Sequence, residues 1–512
     1  MKRVQAIHNT TRAKKTAKPN EELSIAITFR RPQDGLGLTK LSARLSSASV
    51  AALRPDPLDI DRALYELHQR GFVVSAKGKL TASVRGSRRL FEKVFGTKLK
   101  VFRIDPTQEC SSQAFYYPPP DALWKPDPAI MSLIDDAYIQ WPHIYMATKK
   151  PKPKPQPAAG QPSATPPTPN YFHLRMPNDV PRLLNVPQVH AAGTTGKGVR
   201  IAMIDSGFAH SHPYFKANNY TSSVALAPSA SNKETDLNGH GTGESANIFA
   251  IAPGASFVGI KLDDDANPRG GASILEGFQE ALKHNPQVIS VSLGYDLCPT
   301  NPLTGERTSN KHLTALPNGL KALEAEIQSA VANGVVVVFS SGNGHVSFPG
   351  MMPEIISAGG VFVDENGGMT ASDYGSAFMS KIYSGRSVPD FCGLVGMQPH
   401  ADYIMLPIPS GCEIDRDNSS HDKTTANDGW GVFSGTSAAA PQLAAVCALL
   451  LEKNGGLTPS DLKAVLKRSC RDVTKGSANE ASNEGHAVKA SAGLDGATGG
   501  GLVDAFAAWK QI

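Results

Sequence analysis

Phe433-Ser434-Gly435-Thr436-Ser437-Ala438-Ala439-Ala440-Pro441 is the stretch on which the reading of this chain turns. An apolar run from Leu443 to Leu451 follows it and ends at Asn454-Gly455-Gly456. The pattern predicts a helix starting at Ser437, with Pro441 early in it and glycine closing it. A serine there has its oxygen beside unpaired backbone N–H groups and the positive end of the helix dipole. Such a place favours the negative charge that develops when a serine attacks a carbonyl. Gly435 and Ala438 to Ala440 are small enough to let a substrate backbone come close. Taken alone, Ser437 reads equally well as a helix N-cap.

Two further stretches decide against that plain reading. Val199-Arg200-Ile201-Ala202-Met203-Ile204 has the apolar character of a buried strand, and Asp205-Ser206-Gly207 follows at its end. A carboxylate just beyond a parallel strand lies at the edge where α/β sheets place their chemistry. Asn238-Gly239-His240-Gly241-Thr242-Gly243 then leads into the small and apolar residues Ala246 to Ala250 of a predicted helix. In the order Asp205, His240, Ser437 these stretches resemble the subtilisin-like serine peptidases, whose chain order this is. A fourth piece agrees: the strand Val335 to Phe339 ends in Ser340-Ser341-Gly342-Asn343-Gly344. The resemblance implies that Asn343 donates to the oxyanion, a contribution of roughly 3–4 kcal/mol as measured in this same family. An α/β-hydrolase elbow needs Gly-x-Ser-x-Gly, and Ala439 stands at its second glycine position.

With 512 residues the chain is long enough for two or three domains. A 40% hydrophobic and 19% charged composition is that of an ordinary soluble globular protein. The net charge of +5 is small, and much of it sits in the N-terminal tail and in linker lysines, so no nucleic-acid partner is expected. The first twenty residues contain no apolar core of a Sec signal, and no run reaches the length of a membrane span. Cytoplasmic location or export by a non-Sec route is the expectation. Six cysteines do not make a disulfide scaffold; Cys447 reads as core, and Cys392 with Cys412 remains open as a pair.

Residues 1–20 read as a basic tail and 21–147 as a small α/β unit. Leu23, Ile25, Ile27 and Phe29 alternate as in a half-buried strand. A helix over Ile60 to Arg70 closes at Gly71. Strands follow at Phe72–Val74 and Leu80–Val84, then a helix at Ser87–Phe95 and a last strand at Lys98–Phe102. That β-α-β-β-α-β order is the ferredoxin-like split pattern. The run from Gly71-Phe72-Val73-Val74 through Val84-Arg85-Gly86-Ser87 to Phe95-Gly96-Thr97 resembles sedolisin (kumamolisin-like) propeptides. An unrelated ligand-binding domain is the alternative. Asp135 to Met146 is aromatic-rich, and two roles stand open for it: an inhibitory tail in the substrate groove, or packing against the propeptide. Residues 148–175 form a proline-rich linker, semi-extended and open to proteolysis.

From residue 176 to 512, strands alternate with helices, which argues a mainly parallel sheet covered on both faces, a doubly wound α/β domain. Strands are expected at Phe257–Ile260, Val288–Val291 and Ile355–Gly360, and helices at Ile274–Lys283 and Leu320–Ala332. The resemblance implies that Ser292-Leu293-Gly294, with Gly270 and Gly271, holds an extended peptide as an added strand. It assigns Ser341 and Gly342, beside Asn343, to the same groove. Glu244, four residues after His240, departs from the usual subtilisin sequence; a solvated residue is favoured over an electrostatic partner. Arg386-Ser387-Val388-Pro389-Asp390 and the C-terminus resemble sedolisins instead. Carried over, Asp472, Val473, Ser491, Gly493 and Asp495 would hold a structural Ca²⁺ through two carboxylates and three carbonyls, as a hard cation prefers. The alternative is a pair of Asp/Gly turns.

Together these readings give a serine endopeptidase made as a zymogen. It acts on protein or peptide substrates, with its own propeptide as intramolecular inhibitor, and is expected to be a monomer without a membrane span. A catalytically inactive peptide-binding homologue and a non-peptidase acyl hydrolase are the competing classes.

Overall fold

Alternate residues of the central apolar strands point to opposite faces, so each strand serves two cores. Ile201 and Met203 join one hydrophobic cluster, whereas Ala202 and Ile204 join another. The computed structural model of the chain describes residues 22–31, 35, 37, 38, 45–103, 114–118, 122–145, 161–267, 271–298, 308–399, 401–418 and 422–512. Its main sheet has eight strands. Seven run in the order Met369–Ala371, Ile356–Val363, Val336–Ser340, Val288–Val291, Arg200–Asp205, Ser256–Lys261 and Ser222–Leu226. Phe391–Leu394 also pairs with Ile356–Val363. All pairings are parallel except that of Met369–Ala371. Helices His240–Ile251 and Thr436–Lys453 cover one face, and Ile274–Lys283 and Asn318–Ala332 the other.

The Thr436–Lys453 helix contains Pro441, which cannot donate to the carbonyl of Ser437 four residues earlier. That carbonyl accepts instead from Ser292 Oγ at 2.8 Å, so the proline ties the helix to the end of the Val288–Val291 strand. Leu174–Arg175 pairs with Ile404–Pro407, which pairs in turn with Trp430–Phe433. Upstream of it, Ser163 accepts from Trp430 Nε1 through its carbonyl and hydroxyl at 3.2 and 3.1 Å. The first part of the expected linker, 148–160, lies outside the described residues.

The N-terminal unit has a four-stranded antiparallel sheet in the order Val73–Lys77, Thr81–Ser87, Glu22–Phe29, Ile134–Ile139. Its helices span Pro57–Gln69, capped by Asp56, and Arg88–Val94, capped by Ser87. The expected last strand is misplaced in the sequence reading. Lys100–Arg103 pairs with Ala114–Tyr117 in a separate ribbon, and Ile134–Ile139 takes the fourth place in the sheet. Ile134, Ala137 and Ile139 bury against the same core as Phe91 and Phe95. This sheet lies on helices Ile274–Lys283 and Asn318–Ala332 through polar contacts. Arg85 forms a two-pronged bond with Glu276 at 2.9 and 2.8 Å, and Ser75 adds a third bond to that carboxylate at 2.7 Å. Glu326 accepts from Thr81 N, Thr81 Oγ1 and Leu80 N at 2.9, 2.8 and 3.1 Å.

Cys298, Cys392, Cys412, Cys447 and Cys470 are free thiols. The open Cys392–Cys412 pairing is therefore absent: Cys392 Sγ faces the Thr498 carbonyl at 3.4 Å, and Cys412 lies against Gly239. No helix among the described residues is long and apolar enough to cross a membrane.

Candidate active site

Asp205 ends its strand fully buried, and its Oδ1 accepts from His240 Nδ1 at 2.7 Å and from Ser206 N at 2.8 Å. The helix that carries His240 begins with four N–H groups that need acceptors. Side chains meet all of them. Asp236 accepts from Gly239 N and Thr242 N, both at 2.9 Å, while Asn238 Oδ1 takes His240 N and Ser206 Oγ takes Gly241 N. Ser206 Oγ also donates to Asp236 Oδ1 at 2.9 Å, so the buried Asp236 locks the Asp205 strand to the His240 helix. A Cβ at position 241 would fall 2.4 Å from the Gly207 carbonyl, so only glycine lets helix and strand end meet. Asp236 escaped the sequence reading; its signal was an acid just ahead of a helix start.

Burial is the largest influence on His240 and disfavours its charge. The carboxylates of Asp205, Glu244 and Asp236 outweigh it and lift the imidazole to about 9. Glu244 is not solvated: it is buried, with Oε2 accepting from Asn247 Nδ2 at 3.0 Å and Oε1 without a hydrogen-bond partner among the described residues. Burial first, then Asp205, pushes its carboxyl up to about 8 against the pull of His240. The whole helix His240–Ile251 is buried: it lies on the sheet beside the Thr436–Lys453 helix and is covered further by Asp179–Leu183 and Ile404–Pro407, so no face of it is open to solvent.

Ser437 stands in the first turn of its helix, which starts one residue earlier than expected. Its hydroxyl donates to the Ser292 carbonyl at 3.3 Å, and no hydrogen bond joins it to His240. Asn343 follows the Val336–Ser340 strand, with Oδ1 accepting from Thr436 N at 2.9 Å and Thr436 Oγ1 at 3.0 Å. Those two donors set which end of the amide is oxygen. Nδ2 then lies where a Cβ on residue 435 would come within 2.6 Å of it, so Gly435 leaves that donor room. Thr436 is a positioning residue that sequence reasoning did not single out. It also joins Gly342, whose N–H donates to Thr436 Oγ1 at 3.1 Å. Ser341 instead turns its hydroxyl to the Ser376 carbonyl at 3.1 Å.

Of the expected peptide-binding residues, Gly270 lies outside the described residues, and Leu293 is buried. Gly271 approaches the Leu262 carbonyl so closely that a Cβ would meet it at 2.1 Å. Gly294 pairs antiparallel with Ile144, with Ile144 N to Gly294 O at 3.0 Å and Gly294 N to Ile144 O at 3.3 Å. The neighbouring Tyr145 ring meets the His240 ring edge-on at 6.0 Å. Residues 144 and 145 thus lie beside Gly294 and His240, while Ile134–Ile139 belongs to the N-terminal sheet.

A profile of the subtilase family matches residues 196–493, well over half of the chain. The chain belongs to the subtilase family. It is 26% identical over 296 residues to Subtilisin NAT of Bacillus subtilis subsp. natto, which covers 55% of this chain and 62% of that protein. It is 27% identical over 301 residues to Serine protease AprX of Bacillus subtilis (strain 168), covering 53% and 61%. The match thus spans about three-fifths of the curated relatives' length. Among solved structures, fervidolysin from Fervidobacterium pennivorans, a keratinolytic enzyme related to subtilisin, shares the fold. It has a TM-score of 0.53 at 16% identity, covering 97% of this chain and 62% of that one. In this subtilase the buried Asp205–His240 pair, Asn343 and the Ser437 helix converge where strands Arg200–Asp205 and Val336–Ser340 end.

Proposed function

We propose that this subtilase is a serine endopeptidase made as a zymogen, with residues 21–147 as propeptide, 148–175 as linker and 176–512 as catalytic domain. One observation carries the reading: the chain's own residue Ile144 is held against Gly294 by an antiparallel bridge of two backbone hydrogen bonds, and the next side chain meets the His240 ring. That is how an extended peptide is presented to a nucleophile. Ser437 attacks the carbonyl after exchanging the Ser292 carbonyl for His240 Nε2 as its acceptor. His240 takes the proton and later gives it to the leaving amine. Asp205 fixes the imidazole through Nδ1 and stabilises its charged form. Asn343 Nδ2 and the Ser437 N–H receive the oxyanion.

The propeptide part of the proposal is supported by the strand order 2-3-1-4 of the N-terminal sheet, that of a ferredoxin-like unit, and by its seat on the catalytic helices. Its likeness to sedolisin propeptides belongs to the same proposal. So does a structural Ca²⁺ held by Asp472 and Asp495 with carbonyls of Val473, Ser491 and Gly493. The donor set fits in kind: both carboxylates converge on one exposed loop, Asp472 accepting from Gly493 N at 3.1 Å and Asp495 from Ser491 N at 3.0 Å. Among the described residues no group of three or more His, Cys, Asp or Glu gathers, so carbonyls and water would complete the shell.

Labelling with a fluorophosphonate probe tests the reading. Wild type is expected to react and Ser437→Ala not, with proteins turned over as well as small esters. Labelling with ester but no peptide turnover would favour an acyl hydrolase. No labelling of an activated chain would favour the inactive peptide-binding relative.

A further inference from the structure

Beside the Asp205–His240 pair lies a second buried acid that the mechanism does not use. Asp263 follows the Ser256–Lys261 strand, with its backbone N–H bonded to the Ser206 carbonyl at 3.1 Å and its own carbonyl accepting from Ser231 N at 3.3 Å. The acid is thus carried by rigid backbone. Asp263 as a whole is only 9% exposed. The nearest buried cation, Lys261, is committed elsewhere, to Asp265 at 2.6 Å, Thr235 Oγ1 at 2.8 Å and the carbonyls of Asn232 and Thr235 at 3.0 Å. Among the described residues, Asp263's carboxyl has one hydrogen-bond partner, the phenol of Tyr145 at 2.6 Å. Tyr145 is the residue after the one paired with Gly294, and its ring lies between that bond and His240.

We propose that Asp263 makes the cleft select tyrosine at the substrate position that follows the residue paired with Gly294. This rests on the peptidase reading and names its substrate class: peptides carrying a phenol donor at that position. A buried acceptor left without its donor loses far more than a hydrogen bond returns on average. Sites built around a substrate hydroxyl therefore reject analogues that lack it. A phenylalanine would fill the same space and leave Asp263 unpaired. A phenol is also the donor that suits this acid. Burial, with Asp236 and Asp205 nearby, pushes the Asp263 carboxyl up to about 8, and a phenol can bond it without bringing in a buried charge. In the full chain the tail supplies that donor itself, so the propeptide occupies the subsite with the side chain the subsite prefers.

The test has two arms. In the full-length Ser437→Ala chain, hydrogen exchange of the Ile144 amide reports how firmly the tail is held. Tyr145→Phe and Asp263→Ala are each expected to speed it about tenfold, and the double variant no further than either alone. Tyr145→Phe removes a single oxygen from the tail, so its result stands whether or not Asp263→Ala folds. Unchanged exchange in Tyr145→Phe would overturn the proposal. In the active enzyme, peptides with tyrosine at that position are expected to exceed their phenylalanine counterparts about tenfold in kcat/KM. Equal rates, or a preference for lysine there, would equally overturn it. If no peptide is cut at all, the peptidase reading fails, while the exchange arm still reports on the Tyr145–Asp263 contact.

Discussion

Replacing Glu244 with Gln removes a buried charge while keeping the shape and an acceptor for Asn247. His240 lies one helical turn away, so the two side chains share a face with their Cβ atoms roughly 5–6 Å apart. The lift of His240 to about 9 from the ordinary 6.5 favours its charged form by about 3 kcal/mol, at about 1.36 kcal/mol for each pH unit. A full charge at that separation, with an effective dielectric near 20, supplies roughly 3 kcal/mol. Glu244 is itself pushed up to about 8, so its charge is present only in the upper part of the range. The amide should therefore lower His240 by about one pH unit, not two. In the proposed mechanism His240 is a base only when neutral, so activity should rise as pH climbs through its folded value, and Glu244→Gln should move that rise to lower pH. Stability moves too. A raised carboxyl costs folding free energy as pH rises from 4.5 through about 8, so the amide should stabilise the protein above pH 8 and change little near pH 4. His240 contributes in its own sense: stability present below 6.5 and lost as pH rises through about 9. The measurements are an NMR titration of His240 in the full-length Ser437→Ala chain, the pH profile of ester turnover, and melting curves at both ends of the range. A titration that stays in place or moves upward would refute the electrostatic account.

Wild type is expected to clip itself on the C-terminal side of Tyr145, before about Asn170, whereas Ser437→Ala stays whole in a protease-free preparation; equal clipping of both would end the zymogen reading. Arg85→Ala strands the Glu276 carboxylate at 0% exposure beneath the N-terminal sheet, at a cost of roughly 3–5 kcal/mol for losing one partner of a buried pair. In the Ser437→Ala background it should loosen the N-terminal unit to limited proteolysis, with partial rescue by Glu276→Gln, and unchanged digestion would count against the interface. Calcium at about 100 times its Kd should add roughly 2.7 kcal/mol of stability. Chelation should then lower Tm, and Asp495→Ala should remove most of that response; a Tm indifferent to chelator in protein free of metal would remove the site.

What the sequence made legible here was local, and what it hid was non-local. Val288–Val291 and Ile274–Lys283 fall on their expected residues because an apolar run and an amphipathic repeat are local signals. Ser222–Leu226 went unread because an edge strand needs little apolar character. Lys100–Arg103 is a strand as expected, yet its partner is Ala114–Tyr117; the place in the sheet went to Ile134–Ile139, whose two aspartates weaken its pattern. Glu244 shows the limit most sharply. A lone acid in a helix reads as a solvent-facing residue, but this helix has no solvent face, since the sheet, the Thr436–Lys453 helix, Asp179–Leu183 and Ile404–Pro407 enclose it. The stretches that carry Asp205, His240 and Ser437 were legible from motifs, whereas the devices that hold them in place were not. Asp236 ties strand to helix, Thr436 orients the Asn343 amide, and Ser292 takes up the carbonyl that Pro441 leaves free. Each acts across at least thirty residues of chain, and each satisfies a backbone or side-chain group whose need was visible in the sequence. A proline inside a helix announces an unpaired carbonyl four residues earlier, and a helix start announces N–H groups in search of acceptors. Reading those unmet needs, rather than only the residues that carry the chemistry, is what would have pointed to Ser292 and Asp236 before any coordinates.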